Sequence, residues 1–351
     1  MLDNRIDYII EPKQKKSETI NISLSIIIPT YNPSFNLIKT LDSIKDSIMQ
    51  PKEIIIVDDH SNFEVKDYVS QYDTICIRLK KNSGPAIARN VGASFATSDI
   101  ILFIDDDIQI PNDCITNIIH DFNSKKSVAV VGLLSPIHPN KNILSLYKNF
   151  YMFFSLQNSP SNFSTLYTSI SAIKSSIFHL LKGFDETHNK ASVEDVDMGQ
   201  RIVNSGYEIF LDKRLLAIHN KKYTLISFIR NEFGRSFDLF TMLVKNKFCE
   251  HLFTHKRYLN NSSSVLISTI LSFGTLFVIA LSTFFTPLIY VYIFILLLIW
   301  IINRRFIYKF KKYYGIGKTI FIPFILYFDF VLASLGIVCS ILYNIRNILK
   351  K

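Results

Sequence analysis

The chain has 351 residues, 39 Lys and Arg against 29 Asp and Glu, a formal charge of +10 and 48% hydrophobic residues. That length leaves room for two domains, and a mean hydropathy of +0.22 argues against a fully soluble protein. Much of the basic excess sits beside apolar stretches, which disfavours nucleic acid as a partner.

In chain order, residues 1–22 are polar, carry Lys13, Lys15 and Lys16, and read as a flexible arm without a signal peptide. The run Ile26–Ile28 reads as a buried strand that exits into Pro29-Thr30-Tyr31-Asn32-Pro33. Leu37, Ile38, Leu41 and Ile44 follow at helical spacing. A second apolar run, Ile54–Val57, ends in Asp58-Asp59. Asn82-Ser83-Gly84-Pro85 punctuates a loop and sets the start of a helix that carries Arg89. A third run, Ile100–Ile104, ends in Asp105-Asp106-Asp107. Strand, helix and strand at this spacing predict a parallel sheet covered by helices, with ligands bound beyond the carboxyl ends of the strands.

That edge gathers specific chemistry. Three packed carboxylates repel one another and call for a cation, and oxygen ligands beside substrate phosphates suit Mg²⁺ or Mn²⁺. On an extended strand Asp105 and Asp107 share a face, while Asp106 points the other way and is replaceable. The Tyr31 ring, following Pro29, can stack on a nucleobase. Asp59 can accept from a base N–H, while Asp58 and Ser61 suit a helix N-cap. Downstream, Val193-Glu194-Asp195-Val196-Asp197 precedes the helical pattern of Met198, Ile202 and Val203. Acids there either cap a helix dipole or supply a general base. His219 follows the strand-like Leu215–Ile218. No G-x-G-x-x-G follows the first strand, which disfavours a nicotinamide dehydrogenase.

Six segments together resemble the family 2 glycosyltransferases. They are Ser25-Ile-Ile-Ile-Pro-Thr-Tyr-Asn32, Ile55-Ile-Val-Asp-Asp-His-Ser61, Asn82-Ser-Gly-Pro-Ala-Ile-Ala-Arg-Asn-Val-Gly92, Phe103-Ile-Asp-Asp-Asp107, Gly183-Phe-Asp-Glu186 and Glu194-Asp-Val-Asp-Met-Gly-Gln-Arg201, in the family's order over roughly residues 24–220. The resemblance implies a GT-A fold: an α/β, Rossmann-like domain with a mixed, mostly parallel sheet. It implies donor contacts from Pro29, Tyr31, Asp59, Arg89 and Asp105, and a metal held by Asp107 and completed by His219. It places the base in the Glu194-Asp195 pair, on Asp195 with Glu194 as alternative, and gives Asp185 an acceptor-side role. Thr168–Ile173 departs from the glycine-containing loop that many relatives carry at this point.

Beyond the resembling region, no charged side chain occurs from Val265 to Ile302. A bilayer core needs about 20 apolar residues per helix, so helices are expected near 264–285 and 288–302, turning at Thr286-Pro287. A third span is possible at 319–343, where Asp329 must face protein or water. Arg304, Arg305, Lys309, Lys311, Lys312 and Lys318, interleaved with aromatic residues, suggest an interfacial segment on anionic lipid. The positive-inside rule then puts this loop and residues 1–260 in the cytoplasm. The expected organisation is an arm over 1–22, a catalytic domain over 23–260 and a membrane region over 261–351. Cys76, Cys114, Cys249 and Cys339 share no metal or redox spacing and fit a reducing compartment.

The expected function is inverting, metal-dependent transfer of a sugar from a nucleotide-sugar donor to a lipid-linked or cell-surface glycan acceptor, with the lipid bilayer as partner. The rivals are a polyprenyl-phosphate glycosyltransferase, whose phosphate acceptor needs little base catalysis, and a non-catalytic membrane subunit of a glycan assembly machine.

Overall fold

A computed structural model describes residues 4–10, 22–187, 192–245 and 263–349. The strands are β1 (Ile6–Ile10), β2 (Leu24–Thr30), β3 (Glu53–Asp58), β4 (Ile75–Leu79), β5 (Ile100–Ile104), β6 (Ile108–Gln109), β7 (Ala129–Leu134), β8 (Asn162–Phe163), β9 (Ile170–Lys174) and β10 (Ile209–His219). The helices are α1 (Asn36–Lys45), α2 (Val65–Tyr68), α3 (Pro85–Phe95), α4 (Cys114–Ser124), α5 (Ile143–Gln157), α6 (Ser175–Leu180), α7 (Glu194–Asn204), α8 (Leu225–Lys245), α9 (Ser263–Ser282), α10 (Leu288–Ile302), α11 (Arg304–Tyr314), α12 (Ile316–Thr319) and α13 (Ile322–Leu349). Two compact units result: residues 1–135 with 159–220, and residues 136–158 with 221–351. This division cuts through the span 23–260 expected for one domain.

The first unit is built on one sheet in the order β1-β4-β3-β2-β5-β9-β7-β10-β6, with β8 beside β10. β4, β3, β2 and β5 run parallel, as do β7 and β10. β9 enters antiparallel between β5 and β7. The central strands are the isoleucine-rich runs: β-branched side chains suit a pleated surface, and strands covered on both faces carry unbroken apolar runs. β5 is buried at every residue. Within the segment expected as a flexible arm, Ile6–Ile10 instead forms the edge strand β1, antiparallel to β4; Ile6 is buried, and Tyr8 donates to Glu64 at 2.8 Å. Residues 11–21 lie outside the described residues.

Two glycines let helices close on this framework. A Cβ at Gly92 would sit 2.6 Å from Ile27 Cγ2, so α3 lies against β2 more closely than a side chain allows. A Cβ at Gly199 would sit 2.6 Å from the Thr165 Cα, which brings α7 onto the backbone of residues 164–166. Away from the strand ends, Arg214 ties α4 to β10, donating to Asp121 at 2.9 Å and to Asp212 at 2.8 Å. Burial and the neighbouring Asp212 push the Asp121 carboxyl up to about 6. Burial opposes ionisation of Asp212 too, but hydrogen bonds from Arg214 take it below the ordinary aspartate value.

The second unit is helical. α8 and α13 pack so closely at Gly336 that a Cβ there would meet the Phe233 carbonyl oxygen at 2.5 Å. The Phe228 and Phe328 rings stack, and Thr241 and Ser340 share a hydrogen bond of 2.7 Å. Asp329 faces protein, accepting from Tyr147 at 2.7 Å, beside the buried Lys148–Glu232 pair at 2.5 Å.

Among the described residues, two helices are long and apolar enough to cross a membrane: Ser263–Ser282 and Ile316–Asn347. The expected second span at 288–302 is a helix of 15 residues, about 22 Å at 1.5 Å per residue, short of a bilayer core of about 30 Å. It bends by 64° into Arg304–Tyr314 and counts as a span only if the bent pair is taken as one. The expected third span is, by contrast, long enough. The turn expected at Thr286-Pro287 is present between α9 and α10.

Candidate active site

The site lies at the carboxyl ends of β2, β3 and β5. After β2 the chain turns through Asn32, whose φ of 49° is left-handed and whose N–H donates to Ser61 Oγ at 2.7 Å. Tyr31 is 50% exposed, so its ring is free to cover a planar ligand. After β3, Asp58 and Asp59 divide their work. Asp58 is wholly buried, accepting from the Ser61 N–H at 2.8 Å and pairing with Arg78 at 2.6 Å, a structural role. Asp59 accepts from the backbone N–H groups of Ser83 and Gly84 at 2.6 and 2.8 Å. Burial pushes its carboxyl above the ordinary aspartate value, and those two amides hold back part of the rise. Gly84, at φ 92°, makes the turn that presents both amides, and Pro85 begins α3.

α3 then joins three motifs that are distant in sequence. Arg89 is 3% exposed. Its guanidinium donates to Glu194 Oε1 and to Asp105 Oδ1, each at 2.8 Å. Burial alone would lower the Arg89 pKa, but the charges of Asp105 and Glu194 overcome it and raise the value. The next residue, Asn90, donates to the Phe184 carbonyl at 2.9 Å and accepts from the Phe184 N–H at 2.8 Å. Arg201 of α7 holds the same loop from the other side through the Leu181 and Gly183 carbonyls, each at 2.7 Å. Asp185 is exposed in this loop and accepts from the Thr187 N–H.

The acidic triplet differs from the strand expected. β5 ends at Ile104, and Asp105–Asp107 form a turn in which the Ile108 N–H donates to the Asp105 carbonyl at 3.2 Å. Each carboxylate takes its own direction. Asp105 faces Arg89 and also accepts from Ser169 at 2.8 Å. Asp106 accepts from Thr30 at 2.5 Å and so braces the end of β2. Asp107 lies 3.4 Å from His219 Nε2. The two-residue ladder of β6 on β10 pairs Ile108 with His219, and the Asn220 N–H donates to the Asp107 carbonyl at 2.8 Å. This ladder is why two residues far apart in sequence meet.

Glu194 and Asp195 open α7. Glu194 is 3% exposed, with Oε1 on Arg89 and Oε2 accepting from the Ser192 N–H at 2.8 Å. Asp195 Oδ1 accepts from the Val196 N–H at 2.8 Å. Asp197 pairs with Arg201 one turn along the helix at 2.8 Å. Sequence reasoning missed Ser169 and Asn220. Ser169 lies in the segment noted for its missing glycine, and Asn220 adjoins His219, so position was the available signal for both.

Among the described residues no group of three or more His, Cys, Asp and Glu side chains gathers as a metal centre. The Asp107–His219 pair still offers a carboxylate and an imidazole, a donor set that suits Mg²⁺ or Mn²⁺ when phosphate oxygens and water complete the shell.

Against known proteins, residues 25–181 match the family model Glycosyl transferase family 2. The chain carries a family 2 glycosyltransferase domain. Its sheet is the mixed, mostly parallel arrangement of the GT-A fold. Over 230 residues this glycosyltransferase is 29% identical to the O-antigen chain rhamnosyltransferase RfbN of Salmonella typhimurium, covering 62% of this chain and 71% of that protein. It is 28% identical over 229 residues to the O-antigen chain rhamnosyltransferase WbaN of Salmonella anatum, covering 62% and 70%. Among solved structures, S. aureus TarS 1-349 in complex with UDP-GlcNAc superposes with a TM-score of 0.47 at 18% identity, covering 61% of this chain and 66% of that one. The family match ends before Gly183, so the Gly183–Glu186 loop, Glu194, Asp195 and His219 lie outside it.

Proposed function

We propose that this glycosyltransferase moves a sugar, with inversion at the anomeric carbon, from a nucleotide-sugar to a lipid-linked or cell-surface glycan acceptor at the cytoplasmic face of the membrane. One observation carries the reading: Arg89 joins the acidic turn after β5 to the acids that open α7, so the donor-side and acceptor-side carboxylates form one constellation. In this reading Tyr31, packed after Pro29, covers the nucleobase, and Asp59 accepts from the base. Asp105 lies beside the ribose, with Arg89 holding it there. Asp107 and His219 would hold Mg²⁺ or Mn²⁺, which supplies positive charge to the diphosphate as it leaves. Asp195, which opens α7, takes the proton of the acceptor hydroxyl, with Glu194 as the alternative. Asp185 stands on the acceptor-side loop that Asn90 and Arg201 clamp.

The Salmonella relatives are named as O-antigen chain rhamnosyltransferases, which supports a surface-glycan acceptor and makes activated rhamnose the first donor to try. The apolar helices Ser263–Ser282 and Ile316–Asn347 support attachment to a bilayer, where lipid-linked acceptors are presented. The test is a panel of nucleotide-sugars with purified full-length protein in detergent and Mn²⁺. Hydrolysis of one donor, and an inverted anomeric centre in the transferred product, is the expected result. A panel with no hydrolysed donor overturns the reading.

A further inference from the structure

α11 is a basic helix whose apolar side is already taken. Phe306 and Phe310 are buried against the Phe150 ring of α5, with ring centroids 5.5 and 5.3 Å apart. Tyr313 and Tyr314 add further ring contacts to Phe150, and Tyr314 donates to the Pro136 carbonyl. Two of the local cations are turned onto aromatic rings, Lys309 over Phe154 and Lys318 over Tyr314. The others, Arg304, Arg305, Lys311 and Lys312, are exposed. Their positions follow the spacing of a single helix face, and among the described residues they form no ion pair. The acid nearest in sequence on the C-terminal side is Asp329, which is buried on Tyr147. An amphipathic helix lying on a bilayer ordinarily buries its apolar face in lipid. Here that face is occupied by protein and the charged face is outward.

The apolar neighbours of α11 in the chain fix its level. Before it, α10 exposes Tyr290, Phe294 and Leu297; after it, Ile316, Phe321 and Phe324 are exposed. A row of exposed cations between two stretches of exposed apolar side chains has the pattern of a headgroup layer.

The geometry points to the outward face of α11 as a docking surface for the anionic headgroups of bilayer phospholipids, bound by charge alone. This rests on the reading of the chain as membrane-attached. It refines the interfacial segment on anionic lipid expected of the sequence: the apolar side of the helix is held by protein, so the contact is made by charge and is salt-sensitive, because exposed charges are screened within about 10 Å at 0.1 M salt. Because α11 is packed on α5, the headgroup contact fixes residues 136–158 at the membrane surface.

The experiment uses the full-length protein in phosphatidylcholine bilayers with and without phosphatidylglycerol. Flotation with phosphatidylcholine vesicles first tests membrane attachment on its own; failure there sinks the membrane reading, and with it this proposal. Spin-labelled phosphatidylglycerol and phosphatidylcholine then report which lipid the attached protein immobilises. The expected result is a preference for phosphatidylglycerol that disappears in high salt. It should fall by up to about fivefold for each charge removed and vanish in Arg304→Gln/Arg305→Gln/Lys311→Gln/Lys312→Gln, with donor hydrolysis unchanged. Equal immobilisation of the two lipids by an attached wild-type protein overturns the proposal. So does a preference that survives in the four-fold variant, or one that inorganic phosphate at moderate concentration removes, which marks a phosphate-ion site.

Discussion

Arg89 and Glu194, 105 residues apart in sequence, meet through a hydrogen bond of 2.8 Å in which both side chains are almost wholly buried. Arg89 is thereby a positioning residue that fixes the start of α7 relative to the turn after β5. Removing one member of a buried ion pair leaves an uncompensated charge and costs about 3–5 kcal/mol. Arg89→Met should therefore lower the thermal unfolding midpoint of the detergent-solubilised protein sharply. Arg89→Met/Glu194→Gln should recover part of the loss, because the double replacement leaves less charge unpaired. Equal midpoints for the single and double variants would show that the two residues do not act as a pair.

The proposed metal pair makes a separate prediction. Asp107→Ala should abolish the Mn²⁺-dependent part of nucleoside diphosphate binding, and His219→Ala should weaken it. Asp106→Asn should bind as the parent does, since an amide oxygen can still accept from Thr30. Calorimetric titration with and without Mn²⁺ separates these cases. Unchanged affinity in Asp107→Ala removes Asp107 from the metal site.

Much of this site was legible in the sequence because its elements are local. Isoleucine runs mark β2, β3 and β5, Gly84-Pro85 marks the start of α3, and the acids before Met198 mark the start of α7. What was hidden depends on long-range pairing. Nothing in the periodicity of Ile170–Lys174 says that it runs antiparallel between β5 and β7, and nothing near Arg89 says that two carboxylates from elsewhere will bury it. The triplet Asp105–Asp107 looked like a strand end with alternating faces, but a turn gave each carboxylate a different partner. Hydropathy alone does not register the bend after Leu288–Ile302, which makes this stretch a span only together with Arg304–Tyr314.

The Asp121–Asp212–Arg214 cluster predicts a pH dependence of stability. With its folded pKa at about 6 against an ordinary 3.8, Asp121 binds a proton more tightly in the folded state. Its proton-linked stabilisation is fully present below 3.8 and is lost as pH rises through about 6. Asp212, shifted the other way, loses its contribution only below its ordinary value, so the two windows do not overlap. Asp121→Asn should flatten the dependence of the unfolding midpoint between about pH 4 and 6. A variant with the same slope as the parent across this window would show that another group titrates there.

Asp195 and Glu194 open the same helix, and replacing each in turn separates chemistry from structure. Glu194 is engaged on both oxygens, so Glu194→Gln should lower stability through Arg89. Asp195 carries the proposed base, which acts only in the transition state. Asp195→Asn keeps the shape and can still accept from the Val196 N–H. Turnover should fall by on the order of 10²–10⁴-fold while donor affinity and the unfolding midpoint stay near those of the parent. Both quantities are to be measured on one preparation. A fall in turnover of less than about tenfold, below the usual range for a lost base, would move the role to Glu194 or favour a phosphate acceptor that needs no base.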